Sequence, residues 1–138
     1  MAYGDISPPE DTLEFDLTNI THPDMIHVSG DVYAIAYSDA DSDGRVITID
    51  IAADGQIGAT VIDSLEFDTV NGRYPSIVHI IGDIYAIAYS SVDSVGVIVT
   101  VEITTAGQIS AAVEDTLEFE SGKCYIPDMI RLSSNMVA

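Results

Sequence analysis

"DVYAIAYS" at residues 31–38 returns as "DIYAIAYS" at 83–90, 52 positions further on. The likeness runs well beyond those eight letters, since residues 23–68 align with 75–120 without a gap and agree at 24 of 46 positions. Leu13, Leu65 and Leu117 continue the spacing, as do Phe15, Phe67 and Phe119, and Pro23, Pro75 and Pro127. The chain is therefore a duplicated unit with a further partial copy, the signature of a repeat architecture. "SSNMVA" at 133–138 falls where the earlier copies read "SGDVYA" and "IGDIYA".

Within one unit the apolar period is close to two, and turn-forming strings recur at short intervals: "SGD" at 29–31, "DADSDG" at 39–44, "ADGQ" at 53–56 and "TVNGRY" at 69–74. This predicts strands near 24–28, 32–38, 45–52 and 57–67, with almost no helix. In the second strand Val32, Ala34 and Ala36 point one way, and Tyr33, Ile35 and Tyr37 the other. Both faces are apolar, which suits a sheet packed between two neighbours, the small residues of one sheet meeting the large residues of the next.

A four-stranded unit repeating every 52 residues is near the blade length of a β-propeller. The fold expected is all-β, a propeller of four-stranded antiparallel blades closed by oligomerisation. Blade 1 is expected at 22–68 and blade 2 at 74–120. A spare fourth strand is expected at 6–15 and the start of a third blade at 125–138. A pair of small β-sandwich modules is the competing arrangement, but units of about 52 residues bury too little surface to stand alone.

The string "YPSIVHIIGDIYAIAY" at 74–89 resembles the first two strands of blades in sialidase-like and related Asp-box propellers. The resemblance covers both full copies and implies a propeller fold and contact with glycans. The Asp-box turn itself, Ser-x-Asp-x-Gly-x-x-Trp, is replaced by "AADGQI" and "TTAGQI", and the chain has no Trp. "GRYP" at 72–75 resembles the Arg-x-Pro that places a carboxylate-binding arginine in sialidases, which would give Arg73 that role. Such an enzyme also needs two more arginines and a Tyr, Glu and Asp set, whereas Arg45, Arg73 and Arg131 are the only arginines here.

At 138 residues and 47% apolar, with mean hydropathy +0.27, the chain suits one globular unit. Twenty-three Asp and Glu against four Lys and Arg give a net charge of −19, which repels a phosphate backbone and excludes nucleic acid as a partner. Cys124 is alone, so neither an intrachain disulfide nor a multi-cysteine metal site can form. No signal peptide and no apolar run of spanning length is read in the chain, and the acidic shell suits an extracellular or cell-surface setting.

"DADSDG" places Asp39, Asp41, Asp43 and Gly44 in the D-x-D-x-D-G spacing of calcium loops, where alternate carboxylates converge on a hard cation. Asp50 and Ile47 stand where such loops want further acidic ligands, and the second copy keeps only Asp93. A solvated acidic turn is therefore expected, calcium being the one cofactor the motif suggests. His27, His79 and Arg131 occupy equivalent positions on the first strand and would recur around a central channel, either as an anion site or as hydrogen-bonded structural groups. Asp24, Ser76 and Asp128 follow the repeated prolines, with His22, Arg73, Tyr74 and Tyr125 beside them. That rim is the expected ligand site, because binding residues collect on connections held by a rigid scaffold.

No nucleophile elbow, phosphate loop or zinc motif is present. The function expected is a noncatalytic binding module displaying loops to glycans or surface proteins; a sialidase-like glycan-processing enzyme, or a relic of one, is the alternative. The partner expected first is the chain itself. If its C-terminal strands take up the N-terminal strand of another copy, a head-to-tail homodimer closes six blades.

Overall fold

The computed structural model describes residues 7–133 and 136–137. Strand accounts for 51% and helix for 2%, so the chain is all-β, as its period of two requires. Four antiparallel strands form the first sheet in sequence order: β1 Thr21–Ser29, β2 Val32–Ser38, β3 Gly44–Asp50 and β4 Asp63–Asp68. The second sheet repeats the order with β5 Arg73–Ile81, β6 Ile84–Ser90, β7 Gly96–Glu102 and β8 Asp115–Glu120. A short hairpin, β9 Arg131–Ser133 and β10 Met136–Val137, follows.

The duplication extends to register. His27 faces Tyr33 and Ser29 faces Val32; His79 faces Tyr85 and Ile81 faces Ile84; Arg131 faces Val137 and Ser133 faces Met136. Two-residue turns join the first pairs of strands, with Gly30 at φ 52° and Gly82 at φ 54°, the left-handed conformation that closes such hairpins.

Two expectations shift at the fourth strand. β4 begins at Asp63 instead of 57, because the chain after β3 turns at Gly55 (φ 89°) and folds back on the strand it has just left. Ile57 bridges Ile51, and the amides of Gly58 and Ile62 donate to Asp50 and Thr48. Residues 103–114 repeat this loop, with Ile109 bridging Ile103. The strand expected at 6–15 begins outside the described residues, and its described part, 7–15, joins no ladder. It lies instead against the first sheet through Leu13 and Phe15.

The two sheets pack face to face. Ala34, Ala36, Val46 and Phe67 of the first meet Ile77, Tyr85, Ile87, Tyr89 and Val97 of the second in one buried cluster. The small face of one sheet thus receives the large face of the next, as the alternation in β2 predicts. Ile35, Tyr37, Ile47 and Ile49, on the opposite face of the first sheet, are covered by Leu13, Phe15 and Ile20. The small face of the second sheet holds Val78, Ala86 and Ala88 against Met129. Tyr33 is only half-buried, unlike Tyr37, Tyr85 and Tyr89.

Hydrogen bonds pin the sheets at both ends of this interface. The Thr48 hydroxyl, fully buried, donates to the Gly107 carbonyl at 2.6 Å. Asp63 accepts from the Ile109 amide at 2.8 Å, and Asp24 from the Ile77 amide at 2.9 Å.

Tyr89, 3% exposed and tilted against Phe67 at 5.0 Å, anchors the interface; Tyr89→Ala is expected to cost about 3–5 kcal/mol, measured by urea unfolding. Acid provides a second check, on the N-terminal segment. The Asp11 carboxylate is held below its ordinary range by the Ile57 amide and then by the Thr12 amide. Asp16 is held low chiefly by the Thr18 hydroxyl, with the Tyr37 hydroxyl adding to it. Depressed folded-state values stabilise the docked segment above the ordinary Asp range and lose that effect as pH falls below about 3.9. Hydrogen-exchange protection of the Ile57 amide, corrected for intrinsic rate, is expected to fall on acidification before that of β2 and β6.

Candidate functional site

β1 and β5 start irregularly for a reason visible in the sequence. Pro23 and Pro75 have no amide to give a ladder, and the register shifts between Thr21 and Asp24 and again between Arg73 and Ser76. The preceding residues, His22 and Tyr74, take left-handed backbone at φ 52° and 54°. An aromatic residue rarely adopts that conformation, and sites of ligand contact are where such cost tends to be retained. Their rings meet edge to face at 4.2 Å.

Three equivalent tripeptides converge beneath these rings: His22-Pro23-Asp24, Tyr74-Pro75-Ser76 and Ile126-Pro127-Asp128 line one open groove of about 300 Å³. The polar members of this set are engaged within the protein. Asp24 binds the Ile77 amide, while Ser76 donates to Asp128 at 3.1 Å and accepts from the Met129 amide at 3.1 Å. They act as latches between successive copies, while the rings of His22 and Tyr74, with Ile126, line the open groove.

Two polar grooves flank the first. One, of about 290 Å³, is lined by Asn71, Arg73, Tyr74, Tyr125 and the serines at 90, 91 and 94, with Asp93. The other, of about 200 Å³, is lined by Thr21, His22, Ser38, Ser42, Arg73 and Tyr74. They are the same groove at a 52-residue offset: Ser38 corresponds to Ser90, Ser42 to Ser94, His22 to Tyr74 and Arg73 to Tyr125. Tyr74 borders all three hollows. Asn71 lines the larger polar groove, and its Oδ1 is buried without a hydrogen-bond partner.

The rim residues read from the sequence, His22, Asp24, Arg73, Tyr74, Ser76, Tyr125 and Asp128, all line these hollows. Asn71 and the serines were missed. The signal for the serines was present, since Ser38 with Ser90 and Ser42 with Ser94 are identities within the duplication. Asn71 carries a weaker form of that signal, since Asn19 stands 52 positions before it although Lys123 stands at its equivalent in the next copy.

The other candidates fall elsewhere. His27 and His79 donate from Nε2 to the carbonyls of Gly30 and Gly82, at 2.9 and 2.8 Å, and lean on Tyr33 and Tyr85. They clamp the hairpin turns, the structural role open to a repeated imidazole. Arg131 holds the corresponding register position on β9. Asp39 shapes its own turn, accepting from the amides of Asp41 at 3.0 Å and Asp43 at 3.1 Å, and pairs with Arg45 Nε at 2.7 Å. Glu66 lies 3.6 Å from the same guanidinium and titrates above its ordinary range, first because of its hydrogen bond with Asp43. Among the described residues no three His, Cys, Asp or Glu side chains gather as metal ligands, Asp39, Asp41 and Asp43 included.

The latch role of Asp24 can be separated from ligand contact. Asp24→Ala strands the Ile77 amide in the interface and is expected to cost about 1–3 kcal/mol in urea unfolding. Asp24→Asn, which keeps a carbonyl acceptor, is expected to retain most of the stability.

No protein-family model, curated protein or solved structure matches the chain. Among the described residues no helix is long and apolar enough to cross a membrane.

Proposed function

We propose that the chain is a noncatalytic interaction module of propeller type, which binds polyhydroxylated ligands of the glycan class and associates head to tail with further copies of itself. The observation that carries the ligand class is the larger polar groove, where three serines, Arg73, two tyrosines and Asn71 line one hollow of about 290 Å³. Hydroxyl and amide groups beside aromatic rings match the alternating polar edges and apolar faces of a sugar. The repetition of this groove one unit earlier supports a multivalent surface, on which weak sites combine. Binding without turnover suits the lining, in which Asp93 is the single carboxylate.

The propeller reading rests on packing. Each sheet offers one large and one small apolar face, so stacking continues in one direction, and closed rings of such sheets hold about 4 to 8. Two complete sheets per chain leave faces that further copies of the chain would cover.

A glycan array followed by titration calorimetry tests the ligand class. A glycan that binds the chain is expected to lose about tenfold or more in affinity, about 1.4 kcal/mol, with Arg73→Ala and with Asn71→Ala, and a fluorogenic sialoside is expected to remain intact. Turnover of the sialoside would favour the sialidase-like enzyme. Light scattering is expected to give a mass above the 14.7 kDa of one chain.

A further inference from the structure

One short string occurs three times: "DTLEFD" at 11–16, "DSLEFD" at 63–68 and "DTLEFE" at 115–120. The first two are docked, and by the same contacts. Asp11 accepts from the Ile57 amide at 2.8 Å and Asp63 from the Ile109 amide at 2.8 Å. Phe15 meets Tyr37 at 5.4 Å and Phe67 meets Tyr89 at 5.0 Å. The Tyr37 hydroxyl donates to Asp16 at 3.0 Å, and Asp68, the equivalent of Asp16, adds to burial in pushing the Tyr89 hydroxyl's pKa up. Each pair of partners lies 52 residues from the other.

The third string, β8, is exposed along its whole length. Leu117 is 62% and Phe119 48% exposed, against 7% for Phe67. It is nonetheless held in the docking conformation. β8 pairs with β7 as β4 pairs with β3, Gly96 facing Glu120 as Gly44 faces Asp68. Phe119 lies over Gly96 as Phe67 lies over Gly44, so close that a Cβ at either glycine would strike the ring. Leu117 and Phe119, with Ile98 and Met129, border an apolar groove of about 420 Å³.

We propose that β8 of one copy docks on the first-sheet face of a second copy, built from Ile35, Tyr37, Ile47 and Ile49, and displaces that copy's residues 11–16. This rests on the self-association part of the reading above and names its joint. Two faces in the chain carry the matching tyrosine and backbone amide. β4 fills the one on the second sheet, and residues 11–16 fill the one on the first. In the joint Asp115 takes the Ile57 amide, Phe119 meets Tyr37, and the Thr100 hydroxyl reaches the Gly55 carbonyl as Thr48 reaches Gly107. The interface is the internal one of this protein repeated between molecules, and it also requires residues 126–129, whose Met129 stands over Ala86 and Ala88 as Ile77 stands over Ala34 and Ala36, to give way to the second copy's β1.

The contest between the two strings sets when assembly occurs. Residues 11–16 have the effective concentration of a tethered segment but join no ladder and bury Leu13 and Phe15 only in part. β8 arrives on a formed sheet, with Ile98 and Thr100 beside it, and orders nothing new. The N-terminal string therefore acts as an intramolecular cap on the joint. The charge of −19 per copy opposes docking, and salt that screens it favours docking.

Sedimentation equilibrium of the full chain in about 0.5 M salt, where screening reaches only a few ångströms, reads the association. Phe15→Ala, which loosens the cap, is expected to tighten self-association about tenfold or more. Phe119→Ala is expected to abolish it in both the parent and the Phe15→Ala backgrounds. No gain with Phe15→Ala, or association unchanged by Phe119→Ala, overturns the proposal. Should Phe15→Ala disturb the fold, a photo-crosslinking phenylalanine analogue at position 119, in a mixture of isotope-labelled and unlabelled chains, decides. Adducts from 119 of one copy to residues 35–49 of the other support the joint, and adducts confined to other regions overturn it. Mass that grows without limit while that crosslink persists supports the joint and refutes the closed ring alone, since a heterologous contact that fails to close makes filaments.

Discussion

The structure depends on the fit between a small-residue face and a large-residue face. Ala34 and Ala36 let the second sheet approach closely enough for Tyr85, Ile87 and Tyr89 to fill the space between, and the resulting cluster spans both sheets. Neither face suffices alone, because two alanines bury little area and the tyrosines and isoleucine need a hollow to enter. The buried polar groups conform to the same spacing. Thr48 reaches Gly107 across the interface at 2.6 Å, a bond that would be lost if larger side chains parted the sheets.

The abundance of aspartate takes a specific meaning from this arrangement. Acidic groups were expected as a solvated shell, yet many of them accept from backbone amides. Asp39, Asp54 and Asp68 close turns on amides two to four residues ahead. Asp11, Asp24 and Asp63 reach across to amides 46 to 53 residues away. A carboxylate one methylene from the backbone has the reach to bond a nearby amide, which glutamate does with more entropy to lose. The charge of −19 therefore reflects structural acceptors as well as solvation.

The polar grooves follow from the same geometry. Proline at the start of β1 and β5 interrupts the ladder, the residue before it turns left-handed, and its ring is set over the junction of two copies. A groove assembled this way recurs once per unit without any residue being placed for it alone. Its members differ between copies, His22 against Tyr74 and Arg73 against Tyr125, so the scaffold is repeated while the chemistry varies.

The sequence by itself determined the order of the strands and the bounds of the two sheets, 21–68 and 73–120, to within a residue of expectation, because alternation and turn letters are local and the duplication supplied a second reading of each, while one end of each of the first, third and fourth strands fell two to six residues from expectation. It also indicated the rim, since repeated prolines mark where ladders break. Tertiary structure decided what depends on distance between units. The start of β4 moved to Asp63 because residues 51–62 fold back on β3, a contact that hydropathy does not encode. Asp39 became a turn acceptor and partner of Arg45, although its spacing matches a calcium loop. The strings at 11–16 and 115–120, alike in letters, differ in burial, because only the first has a sheet face within its reach.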